Sequence, residues 1–97
     1  MAKSKLKTTR YDTADHLRDG KDVIAYLDAA LEDGDPALIR HALSTIARAR
    51  GMTQIARDSG IAPESLYKAL SEGGNPAFTT VLKVVRALGL RLHARLA

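Results

Sequence analysis

The chain of 97 residues contains no cysteine and no tryptophan, and aromatic residues make up only 4% of it. Without cysteine, a disulfide framework, a thiolate nucleophile and a cysteine-ligated zinc site are excluded, and an intracellular location is expected. Because aromatic rings are scarce, the core must be built from aliphatic side chains. The three histidines, His16, His41 and His93, are too far apart in sequence to form a metal-ligand pair. We therefore expect neither a metal site nor a cofactor.

Long apolar runs are also missing. No stretch approaches the roughly 20 apolar residues of a membrane span, and the basic residues within 1–10 are not followed by the apolar run of a signal peptide. We expect a cytoplasmic protein with no membrane partner. A chain of this length forms one small domain, with little room for a deep catalytic cleft. His41 and Ser44 are the one nucleophile–base pair at helical spacing, so we do not expect an enzyme.

The charged residues are divided unevenly along the chain. Residues 1–10 carry four basic groups and no acid, which predicts a flexible basic arm. Residues 11–35 carry eight acids against two bases, a net charge of −6, and residues 36–97 carry nine bases against three acids, a net charge of +6. This partition predicts two different partners, one of them basic and the other a polyanion. The alternative is an ordinary fluctuation of surface charge in a small protein.

Hydrophobic periodicity predicts an all-α fold of five or six short helices. A first helix spans Thr13–Leu17, capped by its threonine, and a second opens at Asp22. Asp35–Pro36 supplies a capping carboxylate and a first-turn proline for the next helix, and Asn75–Pro76 is expected to do the same for the last one. Each of the helices expected to start at Asp22, at Asp35–Pro36 and at Asn75–Pro76 has its own apolar stripe. In that order the stripes are Val23, Leu27, Ala30 and Leu31; Ile39, Leu43, Ile46 and Ala47; and Phe78, Val81, Leu82, Val85 and Leu88.

The end of the chain follows a different pattern. Leu90–Leu96 alternates apolar and polar residues with a period of two, which is typical of a short strand. A single strand needs a partner, which a second copy of the chain or another protein would supply. A frayed tail is the alternative.

Two short amphipathic segments in the middle of the chain predict a helix-turn-helix unit. Met52–Ser59 and Pro63–Leu70 are joined by Gly60–Ala62, and a turn of three or four residues that contains glycine is the connection of this motif. The phage-repressor type of the motif has a small residue, a glycine, an apolar plug and an inward residue, which are here Ala56, Gly60, Ile61 and Leu66. A plain helical hairpin is the alternative.

Four strings carry a more specific resemblance: Ile46–Ala56, Glu64–Ser71, Gly74–Pro76 and Thr80–Leu90, with Tyr11–Asp12 and Ile24–Ile39 in support. Together they resemble the probable addiction-module antidote family, HigA-like antitoxins with a repressor-type DNA-binding domain. The likeness covers nearly the whole chain. It implies a cognate toxin, small and basic and of the RelE/HigB ribonuclease type, and repression of the shared operon through operator DNA. It also implies that residues 11–35 contact the toxin and that residues 36–97 bind DNA and end in a dimerisation segment.

The chain departs from this family at one motif. Members commonly carry Ser-Arg where this sequence has Ala62–Pro63, so a capping hydroxyl and an arginine suited to phosphate or bases are both absent. Direct base recognition would therefore fall to fewer side chains. This leaves an alternative function, a protein-interaction module that neutralises its partner while its helix-turn-helix is degenerate for DNA.

Repressor-type units place the second helix in the major groove, and the N-terminus of the preceding helix, here expected to be capped by Thr53, can accept a phosphate. The residues expected to contact DNA are Thr53, Gln54, Glu64, Ser65, Tyr67, Lys68 and Ser71. Three of them have alternative roles. Glu64 suits the helix dipole as a first-turn acid, Tyr67 could be a half-buried packing ring, and Lys68 could be a solvated lysine.

The toxin is expected to contact the acidic segment, whose alternative role is a solvated surface. The residues expected to contact it are Tyr11, Asp12, Asp28, Glu32 and Asp33. A homodimer is expected through the last helix and Leu90–Leu96, because repressor-type units read paired half-sites roughly 34 Å apart and need a two-fold axis.

Overall fold

The computed structural model describes residues 20–96, and over this range the chain forms five α-helices and no strand. In chain order they are α1 (Gly20–Asp33), α2 (Pro36–Arg50), α3 (Met52–Ser59), α4 (Pro63–Leu70) and α5 (Phe78–Ala87). The predicted all-α class is confirmed. The basic arm, the helix predicted over Thr13–Leu17, and the candidate residues Tyr11 and Asp12 lie outside the described residues.

The junction between α1 and α2 follows from its sequence. Gly34 adopts a φ of 82°, in the left-handed region that ends a helix. Asp35 Oδ1 accepts a hydrogen bond from the N–H of Ala37 at 3.1 Å, and Pro36 lies in the first turn of α2. The predicted cap and first-turn proline are therefore confirmed. They fix where the acidic helix stops and the central helix starts.

α2 is the centre of the fold, because each of the other four helices packs against it. Its predicted stripe is buried except for Ile39, which is partly buried, and Ser44 is buried with it. Near the start of α2, Arg40 Nη1 donates a hydrogen bond to the carbonyl oxygen of Leu70 at 3.4 Å. This bond ties α2 to the end of α4. The helix that carries no predicted functional residue thus positions those that do.

α1 packs mainly against α2, and this explains one wrong prediction. Val23, Leu27 and Ala30 are buried, but Leu31 is 39% exposed although it was expected in the buried stripe. A helix that packs mainly against one other helix has only a narrow stripe covered, and Leu31 lies at the edge of that stripe.

Two predicted helix caps are also wrong. α3 begins directly after Gly51, whose φ of 108° separates it from α2 by one residue, so Thr53 lies inside the first turn and does not cap the helix. α5 begins at Phe78 with Ala77 as its N-cap, so Asn75–Pro76 precedes the helix without capping it. Phe78, at the first position of α5, is 68% exposed although it was expected in the buried stripe. Val84 and Val85 of α5 and Leu88 directly after it are buried, and Val81 and Leu82 are partly buried.

The connection between α3 and α4 has the predicted form. Gly60 adopts a φ of 77°, and its N–H donates to the carbonyl oxygen of Ala56 at 3.0 Å. The N–H of Ile61 is bound by Ser59 Oγ at 3.2 Å, and the Ile61 side chain packs against the core. Leu66 is fully buried. The two helices are thus held at a fixed angle around Ile61.

The end of α4 is closed by two glycines of different kinds. Gly73 has a φ of 83° with open space around it. Gly74 donates its N–H to the carbonyl oxygen of Ser71 at 2.8 Å, and a Cβ on Gly74 would lie closer than 3.0 Å to the carbonyl oxygens of Lys68, Ala69 and Ser71. The backbone at Gly74 therefore runs directly over the last turn of α4.

Residues 90–96 follow α5 and form neither helix nor strand. The N–H of Leu90 donates to the carbonyl oxygen of Val85 at 3.1 Å, and Leu90 and Leu92 pack partly buried against the core, whereas Leu96 is 97% exposed. The predicted strand is absent because no second strand lies among the described residues to pair with it. The alternative prediction, a frayed tail, does not fit Leu90 and Leu92, because both side chains pack against the core.

Candidate functional site

The residues predicted to contact DNA all lie on the exposed surface of residues 52–71, which we call the α3–α4 unit. Those on or beside α4 are Glu64, Ser65, Tyr67, Lys68 and Ser71, and those on α3 are Thr53 and Gln54. On α4 the spacing i, i+3, i+4, i+7 from Glu64 places four of the five on one face, opposite the buried Leu66 and Leu70. Helical geometry alone therefore brings this polar set together.

Tyr67 is the largest side chain of this face. Its ring is 57% exposed, so it is not a packing ring of the core. Lys68 is exposed one position further along the same face. Ser71 differs from its neighbours because it lies at the C-cap of α4, where its Oγ donates to the carbonyl oxygen of Lys68 at 2.8 Å. Its hydroxyl proton is therefore used within the helix end, and its oxygen lone pairs are what it can offer a partner.

On α3, side-chain hydrogen bonds connect Gln54 to Asp58 and to Arg57, a cation that the sequence already offers as a possible phosphate contact. Gln54 Nε2 donates to Asp58 Oδ1 at 2.8 Å, and Arg57 Nη1 donates to Gln54 Oε1 at 3.2 Å. The network holds the exposed Arg57 guanidinium beside Gln54. The signal in the sequence is the i, i+3, i+4 spacing of glutamine, arginine and aspartate. A cation fixed in this way suits contact with a phosphate.

The starts of α3 and α4 have no side-chain cap. Their N-cap residues are Gly51 and Ala62, neither of which makes a capping hydrogen bond, in contrast to Asp35 at the start of α2. First-turn N–H groups are therefore left for an external acceptor, and the positive end of each helix dipole favours an anion there. Pro63 reduces this capacity at α4, because it has no N–H.

The candidate toxin-contacting residues Asp28, Glu32 and Asp33 are all exposed on α1. The same helix exposes two apolar side chains that lie outside the predicted toxin-contacting set, Ile24 at 56% and Leu31 at 39%. These two residues are seven apart and so share a face of the helix, which is the signal that could have identified them. The outward surface of α1 is therefore apolar as well as acidic.

Open grooves cross the surface of residues 20–96. One, with a volume of about 520 Å³, lies between α1 and residues 90–95, and we call it the tail groove. Another, of about 490 Å³, lies between the start of α2 and the end of α4 and is lined by both His41 and Ser44. Ser44 is 7% exposed.

Over residues 20–96 there is no group of three or more histidine, aspartate or glutamate side chains that could hold a metal ion. None of the helices in the same range has the length and the apolar character needed to cross a bilayer.

The chain is similar to known proteins over most of its length. A family model described as "Probable addiction module antidote protein" matches residues 7–96. An uncharacterized protein of Haemophilus influenzae is 49% identical over 85 residues, which cover 88% of this chain and 88% of that protein. No solved structure gives a significant match.

Proposed function

The chain belongs to the probable addiction module antidote family, and from this premise we propose that it is the antitoxin of a type II toxin–antitoxin pair. It neutralises a basic toxin of the RelE/HigB type by direct binding, and it represses its own operon by binding DNA. The observation that carries the proposal is the family match over residues 7–96, which spans both the acidic segment and the α3–α4 unit.

The proposal of a basic protein partner is supported by the surface of α1. Asp28, Glu32 and Asp33 are exposed on a helix that belongs to the acidic third of the chain. Opposite charge on two proteins accelerates their encounter and aligns them. The exposed Ile24 and Leu31 add apolar area to the same helix, and charge-rimmed apolar contact is the usual composition of a specific interface.

The proposal of DNA binding is supported by the α3–α4 unit. One face of α4 presents Glu64, Tyr67 and Lys68, and the uncapped start of α3 with the nearby Arg57 suits a phosphate. In this arrangement α4 enters the major groove and α3 lies against the backbone. Residues 36–97 have the positive balance that binding to a polyanion needs. A homodimer supplies the two-fold axis that paired half-sites require.

A gel-shift assay with the promoter upstream of its own gene tests the DNA part of the proposal. We expect a specific shift that weakens steeply as salt is raised, since phosphate contacts release counterions. The toxin part is tested by co-expression with the neighbouring gene, whose toxicity should be abolished. Absence of both effects would contradict the proposal as a whole.

The charge reversal Asp33→Lys tests the assignment of the acidic helix to the toxin. Association with the purified toxin should slow by about two- to tenfold, because exposed charges at an interface act mainly on the on-rate. Glu72→Lys makes the same reversal on an exposed residue outside α1 and serves as the control. Equal association rates for Asp33→Lys and the unmodified protein would remove this assignment.

A second candidate function is favoured by the start of α4. Ala62 provides no capping hydrogen bond and Pro63 offers neither a charge nor an N–H, so the point nearest the bases would have little to contact them. The chain would then neutralise its toxin without binding operator DNA. Toxin rescue in cells together with no shift of the promoter fragment would favour this candidate.

A further inference from the structure

We propose that the tail groove is the site at which a second copy of this chain docks, with the basic tail of each copy lying against the acidic α1 of the other. The groove is lined by α1 on one side and by residues 90–95 on the other, with Val85 of α5 contributing as well. This contact goes beyond the proposed neutralising and DNA-binding functions, because it assigns a surface and a pairing geometry to the dimer.

The apolar content of the groove indicates a protein occupant. Ile24 and Leu31 of α1 line it and are the exposed large apolar side chains of that helix. Leu90 and Leu92 line the opposite side and are only partly buried. Apolar side chains left half-exposed along both sides of one groove gain free energy when a second protein surface covers them.

The charges on the two sides of the groove favour a second copy of this chain over other proteins as its occupant. The α1 side carries Asp28 and Glu32, and the tail side carries Arg91 and Arg95. A partner with charge of one sign would be attracted to one side and repelled by the other. A two-fold axis brings the tail of each copy to the acidic side of its partner, so both sides are matched at once, as an isologous contact requires.

The alternative of pairing tail with tail is disfavoured by the same charges. In an extended segment Arg91, His93 and Arg95 fall on one face, since their spacing is two. Antiparallel pairing centred on His93 would place Arg91 of one copy opposite Arg95 of the other, and like charges directly opposite each other destabilise a strand pair. The acidic α1 is a better counterpart for this face.

Docking in the tail groove also has a consequence for the toxin. Asp28 and Glu32 line the groove, whereas Asp33 does not. The second copy and the toxin would therefore compete for two of the three candidate toxin-contacting acids on α1, and for the exposed Ile24 and Leu31, whereas Asp33 would remain accessible in the dimer. For this reason the test below uses the full chain alone, with neither toxin nor DNA present, so that its result is independent of the proposed function.

The test is a pair of charge reversals followed by sedimentation in low salt. The acidic-side variant is Asp28→Lys/Glu32→Lys and the basic-side variant is Arg91→Glu/Arg95→Glu. The unmodified chain should sediment as a dimer, and each variant alone should dissociate, with the dimer Kd raised by about tenfold or more because two like-charged contacts replace two attractive ones. An equimolar mixture should form a heterodimer, since each acidic face then meets a basic one in both contacts.

Mixing separates this proposal from its competitors. If the acidic-side variant stays dimeric while the basic-side variant dissociates, the tails pair with each other and the proposal is overturned. If the equimolar mixture of the two variants stays monomeric, the acidic and basic side chains of the groove attract each other within one chain and not between two chains. That result overturns the proposal as well. The proposal is also overturned if the unmodified chain is a monomer. That is the result expected if residues 1–10 of the same chain, and not a second copy, cover the acidic side.

Controls guard against loss of the fold. Asp33→Lys/Glu72→Lys and Lys83→Glu/Arg86→Glu make the same charge changes on exposed residues that do not line the tail groove, and both should remain dimeric. Circular dichroism should show unchanged helix content in every variant. Should the acidic-side variant lose helix, the neutral Asp28→Asn/Glu32→Gln replaces it. A dimer Kd unaffected by that neutral change would overturn the proposal.

Discussion

At the scale of single residues, α4 separates two roles by position alone. Leu66 and Leu70 are buried, and Glu64, Tyr67 and Lys68 are exposed on the other side. Pro63, at the first position of the helix, carries no charge. Lys68 is therefore the one cation among the predicted DNA contacts. One side of α4 therefore determines stability, and the other side is where we expect specificity.

Replacing Lys68 by alanine should weaken operator binding by about 1–3 kcal/mol, with the loss confined to the preference at one base pair, because a lysine in the major groove donates to guanine acceptors. Gel shifts with operator variants measure this. Lys83→Ala removes an exposed lysine from α5, outside the α3–α4 unit, and should leave binding unchanged. A uniform loss across sequences, with a salt slope reduced by about one, would instead identify Lys68 as a phosphate contact.

Leu66→Ala should lower the free energy of unfolding by about 2–5 kcal/mol, because it leaves a cavity where α4 meets the core. Chemical denaturation followed by circular dichroism measures the change. Tyr67→Ala, at the exposed neighbouring position, should cost much less. If the two variants were equally stable, the assignment of Leu66 to the core would be wrong.

At the scale of elements, the sequence was sufficient wherever a feature is local. Asp35–Pro36 and the turn at Gly60 depend on residues within a few positions of each other, and both were predicted correctly. The start of α5 was not: the chain first passes over the last turn of α4 at Gly74, and the helix begins only at Phe78, with Ala77 and not Asn75 as its N-cap. The exposure of Leu31 depends on how many helices pack against α1, which no local pattern contains.

The same reasoning applies to the candidate site. The exposed face of α4 follows from helical periodicity and was predicted, whereas the Arg57–Gln54–Asp58 network was missed as a unit. The tail groove could not be predicted from the sequence, because it joins residues 24–32 to residues 90–95 through tertiary packing.

The α1–α2 junction allows a test of one element boundary. Asp35→Ala should destabilise the fold by about 0.5–2 kcal/mol, since it removes the acceptor for the Ala37 N–H at the start of α2. Asp35→Asn keeps a capping oxygen and should retain most of the stability. Thermal unfolding compares the two. A loss of the same size in both variants would mean that the charge, rather than the hydrogen bond, is what stabilises α2.

At the scale of the whole molecule, residues 90–96 are attached to the core without belonging to a helix. Leu90 and Leu92 contribute partly buried surface, and the exposed Arg91 and Arg95 line the tail groove. These intramolecular contacts already hold the tail in a defined position, so that in the proposed dimer little conformational freedom would be lost on docking.

A chain truncated after Gly89 should sediment as a monomer and bind its operator much more weakly, because two linked half-site contacts become one. Truncation after Arg95 removes Leu96 and Ala97 alone, keeps every residue that lines the tail groove, and should leave the dimer intact. If the chain truncated after Gly89 were still dimeric, the two-fold contact would lie elsewhere on the molecule.

The path of the backbone over the last turn of α4 limits which amino acids the fold can accept at two adjacent positions. At Gly73 the strain comes from a positive φ in open space, so asparagine is a workable substitute. At Gly74 any side chain would collide with three carbonyl oxygens that cannot move without unwinding the helix. In a library of all single substitutions, position 74 should accept glycine alone. A substitution at this site would displace the turn that carries Lys68, so a loop glycine restricts how the helix that we propose to contact DNA can evolve.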